Sequence, residues 1–291
     1  MTCSCCGNAI PQVSLSLLLT SFVLVYSHKV LPRGMTRTRA TVKYFTYIFA
    51  GVIGVLAVGL VVLSNDDGLR AKTFAKLCGF LAKPSELDIH RCGLLQADTV
   101  YGKVLEFGPG PGTNFRCLGG SNIESWTGVE PNESFRTLLE DEAKKFDLNF
   151  PISTVWLKGE TVDIEASSVD TVIGTHVLCS VTSPTSVLAN INRALKEGGT
   201  FHFMEHINSP KNTNSRTVQD LLAPIFTIIA NGCTFKDMQD IIVRELGGDF
   251  DISMEEFDAP MPLAPFIPHL IGKATKKSKG KGRGWIKPVK Y

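Results

Sequence analysis

Val104-Leu105-Glu106-Phe107-Gly108-Pro109-Gly110-Pro111-Gly112-Thr113-Asn114 joins an apolar run to an acidic residue and then to glycines at alternate positions. Glycine lets the backbone turn sharply and lets a ligand approach the main chain, because it has no Cβ. The stretch therefore predicts a buried strand that leads into a nucleotide-type binding turn. A dinucleotide fingerprint needs its third glycine at position 113, where this chain has threonine, so a nicotinamide site is disfavoured.

The charge of the chain is unevenly distributed. Its 291 residues carry a formal net charge of +2, and the segment from Lys273 onward contains eight basic groups and no acid. The preceding residues are therefore net acidic, which argues against a nucleic-acid binder. The length suits one domain with appendages. Residues 276–291 have no core-forming pattern, and we predict a disordered basic tail there.

The eight cysteines do not have the spacing of a disulfide framework. Those in the folded region occur singly: Cys78, Cys92, Cys117, Cys179 and Cys233. We expect them to be buried free thiols in a reducing compartment. The cluster Cys3, Cys5 and Cys6 has no histidine or second cysteine pair nearby, and unreactive or acylated thiols are the alternatives for it. We predict no metal site in this chain.

Residues 1–65 contain no acid and are predicted to be a membrane anchor or targeting region. Tyr44–Leu63 is uncharged, and twenty residues at a rise of 1.5 Å give about 30 Å, the thickness of a bilayer core. We interpret it as an anchor rather than a buried core helix. Val13–Tyr26 is too short to span comfortably. Basic residues on both sides of the anchor leave its orientation open, and an organellar import sequence is an alternative.

The rest of the chain predicts an α/β domain over residues 66–275. Residues 66–96 are expected to be helical, with Leu69, Phe74, Leu77 and Leu81 on one face. Alternating patterns then indicate a doubly wound parallel sheet. Predicted strands are 102–107, 125–130, 152–157, 169–175, 200–205, 250–257 and 266–274, and predicted helices are 133–146, 184–196 and 215–231. Gly198-Gly199 is expected to end the second of these helices, and Pro224 to break the third.

In this architecture ligands bind at the carboxyl ends of the strands. The residues that the pattern places there are Glu106, Gly108, Gly110, Gly112, Glu130, Pro131, Gly159, Glu160, Thr175, His176, Glu205 and His206. Glu130 lies about twenty residues past the turn, the spacing of an acid that accepts both ribose hydroxyls; the alternative is a solvated strand end. Glu106 either contacts the ligand through water or orients the turn. Glu160 either meets an adenine amine or is a surface acid.

Two histidines at adjacent strand ends are candidate catalytic groups. His176 and His206 follow the fourth and fifth strands, where each could also be a satisfied structural residue. Ser180, Cys179 and Ser183 are expected to line the same pocket. A nucleophile–base pair of Cys179 and His176 is disfavoured, because direct transfer from an activated donor needs no covalent cysteine intermediate.

The motifs resemble a known enzyme class. Four strings are similar to class I S-adenosylmethionine (SAM) methyltransferases: Glu106–Phe115, Val129–Asn132, Ser168–Val181 and Gly198–Ile207. The strings VLCSV and FMEH, with Asn231–Cys233 and Pro268–Gly272, resemble the membrane-anchored methyltransferase-like thiol S-methyltransferases. The resemblance covers about residues 100–275. Two prolines depart from it. Relatives more often have Cys or Ser at the position of Pro109, and Thr at the position of Pro111.

This resemblance implies a seven-stranded, Rossmann-like methyltransferase domain preceded by a transmembrane segment. It implies SAM as the cofactor, with Glu106, Gly108, Gly110 and Glu130 as binding positions. It also implies a small thiol substrate and an endoplasmic reticulum or lipid-droplet membrane, with an organellar membrane as the alternative. We expect His206, and second to it His176, to assist thiol deprotonation.

Two rival functions remain open from the sequence. An O- or C-methyltransferase acting on a lipid, quinone or sterol would have the same fold, and an anchored site suits such substrates. A non-catalytic membrane protein that retains a SAM fold is the other. The expected partners are a small-molecule substrate and a membrane, and no nucleic acid.

Overall fold

The computed structural model describes residues 39–82, 84–146, 148–259 and 268–278. The chain divides into two compact units, with the boundary between Asp66 and Asp67. Three predicted features lie outside the described residues: the apolar stretch Val13–Tyr26, the N-terminal cysteine cluster, and the tail beyond residue 278.

The first unit contains helix α1 (Arg39–Asn65). Its segment Thr46–Asn65 has a mean hydropathy of 2.5 and none of it is buried. The helix includes the stretch predicted as an anchor and begins earlier, at Arg39. It is long and apolar enough to cross a membrane.

The second unit is an α/β domain. Its strands are β1 (Tyr101–Phe107), β2 (Asn122–Val129), β3 (Ile152–Val155), β4 (Val169–Thr175), β5 (Leu195–His206), β6 (Phe250–Asp258) and β7 (Pro268–Lys276). Its helices are α2 (Asp67–Leu81), α3 (Leu87–Leu94), α4 (Arg136–Lys145), α5 (Pro184–Ala194), α6 (Asn214–Ile229) and α7 (Met238–Leu246). Short 3-10 helices occupy Thr113–Cys117 and Glu133–Phe135.

The strands form one sheet in the order β3-β2-β1-β4-β5-β7-β6. β1 lies between β2 and β4, so the chain leaves β1 toward one edge and returns to continue toward the other. This reversal is the topological switch point, where the loops after β1 and β4 diverge and leave a crevice.

The prediction of an all-parallel sheet is wrong for β7, which lies next to the edge strand β6. β1 to β5 are parallel, whereas β7 runs antiparallel to both β5 and β6. A parallel pair needs a crossover of a dozen or more residues, and only residues 259–267 separate β6 from β7. A link of that length permits an antiparallel pair, and the sheet is therefore mixed.

The hydrophobic core covers both faces of the sheet. Leu105 and Phe107 pack on the face covered by α5 and α7, and Val104 lies in the separate cluster on the other face, with Trp126. Successive side chains of a strand point to opposite faces, so β1 anchors both clusters. The same alternation places Glu106 on the face of Val104.

Several predicted boundaries are shifted. α5 ends at Ala194, so Gly198-Gly199 lie within β5 instead of capping the helix. The pairing with β4 skips there, from Leu195 opposite Val169 to Thr200 opposite Thr171, and glycine suits the irregularity. α6 continues through Pro224, which removes one backbone donor without ending the helix.

The segment before the first strand differs from its prediction in two respects. One helix ends at Leu81 and the next begins at Leu87, and Leu69, Leu77 and Leu81 of the expected apolar face are exposed. Phe74 provides a packing contact, edge-on to Phe135 with ring centroids 5.9 Å apart.

Two cysteines expected to be free form a disulfide. Cys92 of α3 is bonded to Cys117 at the end of the first 3-10 helix, with Cα atoms 4.9 Å apart. The two elements are far apart in sequence and lie against each other in the fold, which spacing alone did not reveal. Cys179 and Cys233 are buried free thiols, as predicted, and Cys78 is free but only half-buried.

The last strand extends into the predicted tail. Lys273 and Lys276 belong to β7, and the Lys276 ammonium donates to the carbonyls of Asn192 and Leu195. These two lysines are therefore part of the folded domain.

Candidate active site

A cavity of about 1090 Å³ opens at the carboxyl ends of the central strands. Most of the residues predicted from the sequence line it: Gly108, Gly110, Glu130, Pro131, Gly159, Glu160, Thr175, His176 and His206. Glu106 and Gly112 are buried behind its wall instead. Helix α2 contributes another wall, held in part by the Asn132 side chain, which donates to the Ala71 carbonyl at 3.0 Å.

The turn after β1 needs glycine at Gly108 and Gly112, for the same two reasons at each position. Gly108 has φ +63° and Gly112 has φ +83°, a left-handed region that other residues rarely adopt. A Cβ on Gly108 would lie 2.7 Å from Val177 Cγ2, and one on Gly112 would lie 2.9 Å from the Phe115 ring. The turn is therefore packed tightly from behind.

We expect Gly108→Ala to destabilise the domain more than Gly120→Ala. The matched control, Gly120, has φ +76° and nothing within 4 Å of an added Cβ, so it carries only the conformational cost of about 1–2 kcal/mol. At Gly108 overpacking against Val177 adds about 1–3 kcal/mol. Urea unfolding of both variants measures the difference, and equal losses would contradict the role of the packed turn.

Glu130 connects the turn to the end of β2. Its carboxylate accepts hydrogen bonds from the backbone N–H of Gly110 at 3.1 Å and of Asn132 at 2.9 Å. Burial raises the pKa of Glu130 to about 7, although these two backbone donors oppose the shift. Each carboxylate oxygen has a second lone pair, so the group can accept further donors from the cavity.

Glu106 holds the turn from behind. Its carboxylate accepts from Asn114 Nδ2 at 2.8 Å and from Trp126 Nε1 at 3.0 Å, and Asn114 also donates to Thr175 Oγ1 at 3.0 Å. These bonds link β1, β2, β4 and the 3-10 helix after the turn. Burial raises the pKa of Glu106 to about 7, against the hydrogen bonds of Trp126 and Asn114.

A cluster of two arginines and two carboxylates lies at the wall near α3. The Asp88 carboxylate pairs with both Arg91 and Arg116, and Arg116 also pairs with Glu142 at 3.1 Å. Arg91 is buried, and burial lowers its pKa against the attraction of Asp88. Its Nε atom is buried without a hydrogen-bond partner among the described residues. Arg91 lines the cavity, with this donor buried within its wall.

Three histidines meet at the ends of β4, β5 and β7. The rings of His176 and His206 stack with centroids 4.3 Å apart, and His206 lies opposite His269 in the antiparallel ladder with centroids 4.7 Å apart. Burial, with the neighbouring histidines, lowers the pKa of His176 well below its ordinary value. Sequence reasoning quoted the string that contains His269 but did not select it as a site residue.

The backbone of His176 is strained. Its φ of +56° lies in the left-handed region, and its N–H donates to the Met204 carbonyl at 2.7 Å. Such strain persists where the surrounding structure enforces it and is frequent at functional sites. His176 Nε2 is buried and makes no hydrogen bond within the described part of the chain.

Glu205 fixes the loop that follows His176. Its carboxylate, fully buried, accepts from the backbone N–H groups of Val177, Leu178 and Cys179 at 3.0, 2.8 and 3.2 Å. The pattern predicted Glu205 at this edge, and the structure places it beneath the loop and outside the cavity lining.

The remaining predicted residues occupy the rim beyond β3. Glu160 accepts from the backbone N–H of Thr182 at 2.8 Å, and the carbonyl of Gly159 accepts from Asn190 at 2.8 Å. Both therefore connect the loop after β3 to the α5 region. Cys179 does not pair with His176 in the described structure; its sulfur lies near Cys233 and His206.

Comparison with known proteins identifies the class. Residues 105–203 match the methyltransferase domain family. The chain is 33% identical over 180 residues to thiol S-methyltransferase TMT1B of Rattus norvegicus, covering 60% of this chain and 70% of that one. It is also 33% identical to TMT1B of Homo sapiens over 184 residues, covering 60% and 72%. The YcgJ protein of Bacillus subtilis shares the fold, with a TM-score of 0.54, 10% identity, and coverage of 66% and 100%.

The sheet order, the glycine turn and the acid after β2 define a class I SAM-dependent methyltransferase. The chain belongs to the thiol S-methyltransferase family that includes TMT1B. Its cofactor is therefore SAM. The residues fit that group, because Glu130 has further lone pairs for hydroxyl donors and the Arg91 guanidinium at the cavity wall carries a charge that suits a carboxylate.

Proposed function

We propose that this enzyme transfers the methyl group of SAM to small thiols at a membrane surface. The supporting observation is the histidine cluster at the cavity wall, in a chain related to named thiol S-methyltransferases. SAM supplies a methyl group on a sulfonium ion, so the acceptor must arrive as a nucleophile. A free thiol has a pKa near 8.5 and is only a few per cent ionised at neutral pH.

Each predicted residue takes a defined part in this proposal. Glu130 accepts the ribose hydroxyls, while Gly108 and Gly110 let the cofactor approach the main chain. Glu106 and Gly112 shape the turn without touching the cofactor, since neither lines the cavity. Arg91 pairs with the carboxylate of the methionine part.

The residues of the later strands complete the pocket. Pro131, Gly159 and Glu160 form the adenine side, and Thr175 lies beneath the methyl-transfer locus. His176 and His206 lie beside that locus, where they assist removal of the thiol proton. A positioned base contributes about 10²–10⁴ in rate.

A transfer assay on the full chain tests the proposal. With radiolabelled SAM we expect methylation of a short alkyl thiol and no labelling of a matched alcohol. The same assay with a lipid extract tests the rival O- or C-methyltransferase. Label appearing only in lipid, quinone or sterol would overturn the thiol proposal, and absence of any transfer despite SAM binding would favour the non-catalytic alternative.

Membrane attachment through α1 is part of the same proposal. Its apolar, unburied segment Thr46–Asn65 supports it, and the endoplasmic reticulum or a lipid droplet is the proposed location. We expect the full chain to stay in the membrane fraction after alkaline carbonate extraction, and the chain shortened to begin at Asp67 to be released. Extraction of the full chain would exclude a spanning anchor.

A further inference from the structure

Two free cysteines and a histidine from three separate segments converge behind the cavity wall. Cys179 Sγ and Cys233 Sγ are 2.9 Å apart, and each is 3.7 Å from Nδ1 of His206. All three ligand atoms lie within 4.8 Å of one another. The segments are the loop after β4, the end of β5 and the loop after α6.

The spacing of these atoms suits a tetrahedral metal ion. With Zn–S bonds of about 2.3 Å and Zn–N bonds of about 2.0 Å, adjacent ligand atoms lie roughly 3.5–3.8 Å apart. Both sulfur–nitrogen distances already equal 3.7 Å. The sulfur–sulfur distance of 2.9 Å would need to open by less than about 1 Å.

The donor types select zinc and leave one position open. Two thiolates and one imidazole form a catalytic zinc set, in which a fourth position takes water or substrate. The two thiolates would neutralise the charge of the ion. Zinc is not redox-active, which suits methyl transfer between two sulfur atoms because that reaction needs no external oxidant or reductant.

The surroundings hold the three ligands in place. The two thiols are 0% and 4% exposed, whereas their neighbours Ser180 and Gly232 line the cavity together with His206. The N–H of Thr234 donates to the Cys179 carbonyl at 3.0 Å, which joins the two loops. The Lys236 ammonium donates to the carbonyls of Leu178 and Cys179, so a positive charge lies close to the sulfur pair.

His206 also belongs to a second group of side chains that could bind a metal ion. His176, His206 and His269 also lie within 4.8 Å of one another. The cysteine set is favoured because thiolates are softer and anionic, and because such sites select zinc strongly. The histidine set gives a distinct outcome in the test below.

We propose that Cys179, Cys233 and His206 bind a zinc ion whose fourth position, facing the cavity, takes the substrate thiol. The role of that fourth position rests on the proposed thiol methylation; the metal site itself does not. On coordination the thiol loses its proton, with His176 as the remaining assisting base because His206 is then a zinc ligand, and its sulfur replaces a bound water. The thiolate sulfur supplies the electron pair of the new bond to the methyl carbon. The electrons of the broken carbon–sulfur bond stay on the former sulfur of SAM, which changes from a sulfonium ion to a neutral thioether.

Metal content of the full chain is the first test. Protein purified in detergent with a non-chelating reductant is incubated with Zn²⁺, passed through a desalting column and analysed by elemental mass spectrometry. We expect about one zinc per chain, and loss of most of it in Cys179→Ser and in Cys233→Ser. The controls Cys78→Ser and His90→Gln alter a free thiol and a histidine outside the cluster and should retain the metal.

Cobalt substitution reports the ligands and the open position directly. Co²⁺ bound to the wild-type chain should show a sulfur-to-cobalt charge-transfer band that disappears in Cys233→Ser. Adding a short alkyl thiol should intensify this band, while the corresponding alcohol should leave it unchanged. Retained SAM affinity in each variant shows that the domain is still folded.

Three results would overturn the site. The first is that the wild-type chain binds no zinc. The second is that both cysteine variants keep their zinc while His269→Gln loses it, which would assign the metal to the histidine set. The third is that peptide mapping finds Cys179 and Cys233 joined as a disulfide in the active, reductant-treated enzyme. Thiol methylation by the zinc-free enzyme would reject the role of the metal in the reaction and keep the proposed function. Zinc binding without thiol methylation would do the reverse.

Discussion

Replacing Glu130 with alanine is expected to weaken SAM binding about 10²–10⁴-fold. The carboxylate would accept two ribose hydroxyls, and each hydrogen bond to a charged group contributes about 1.5–3 kcal/mol. The variant also removes the acceptor of two backbone hydrogen bonds, those that the N–H groups of Gly110 and Asn132 donate to Glu130 at 3.1 and 2.9 Å. Titration calorimetry of SAM with the full chain measures the change.

The matched control is Glu124→Gln, which alters an exposed acid on the same strand. It should leave SAM affinity unchanged. A Glu130→Ala variant that binds SAM as tightly as the wild type, in a domain that unfolds normally in urea, would exclude Glu130 from the cofactor site.

The raised pKa of Glu130 gives this site a pH dependence. With a pKa of about 7, the carboxyl becomes protonated as the pH falls from 8 to 6. Hydroxyl donors favour the ionised form, so SAM affinity should decrease over that range, and Glu130→Gln should flatten the profile.

Replacing His176 with asparagine is expected to lower kcat for thiol methylation about 10²–10⁴-fold with little change in SAM affinity. Asparagine is the appropriate substitution because it tolerates the left-handed backbone that His176 adopts at φ +56°. The rate deficit should shrink at pH 9, where more of the substrate thiol ionises by itself. Steady-state kinetics at pH 7 and pH 9 provide the measurement.

His90→Asn serves as the control for this substitution. His90 stacks on Phe257 with ring centroids 4.0 Å apart and does not line the cavity, so its turnover should match the wild type. His206→Gln should also lower kcat. Unchanged turnover in both the His176 and His206 variants would remove the histidines from the proposed chemistry.

The parts of the fold that follow from local pattern were predictable. β4 was predicted with its observed ends, and β1 within one residue, because buried parallel strands are continuous apolar runs bounded by turn residues. The glycine turn and Glu130 were found from spacing in the chain. Predictions were wrong where tertiary contacts decided: the antiparallel β7, the end of α5 and the disulfide between Cys92 and Cys117.

The sequence alone determined the α/β fold class, the glycine turn after β1 and the apolar segment within α1, since each depends on residues close together in the chain. Only the tertiary structure brought together Cys179, His206 and Cys233, which are separated by 27 residues at each step. It also added His269 opposite His206, through the antiparallel pairing of β5 and β7. Their side chains meet because the sheet aligns the ends of strands that are distant in sequence, and no local spacing encodes that alignment.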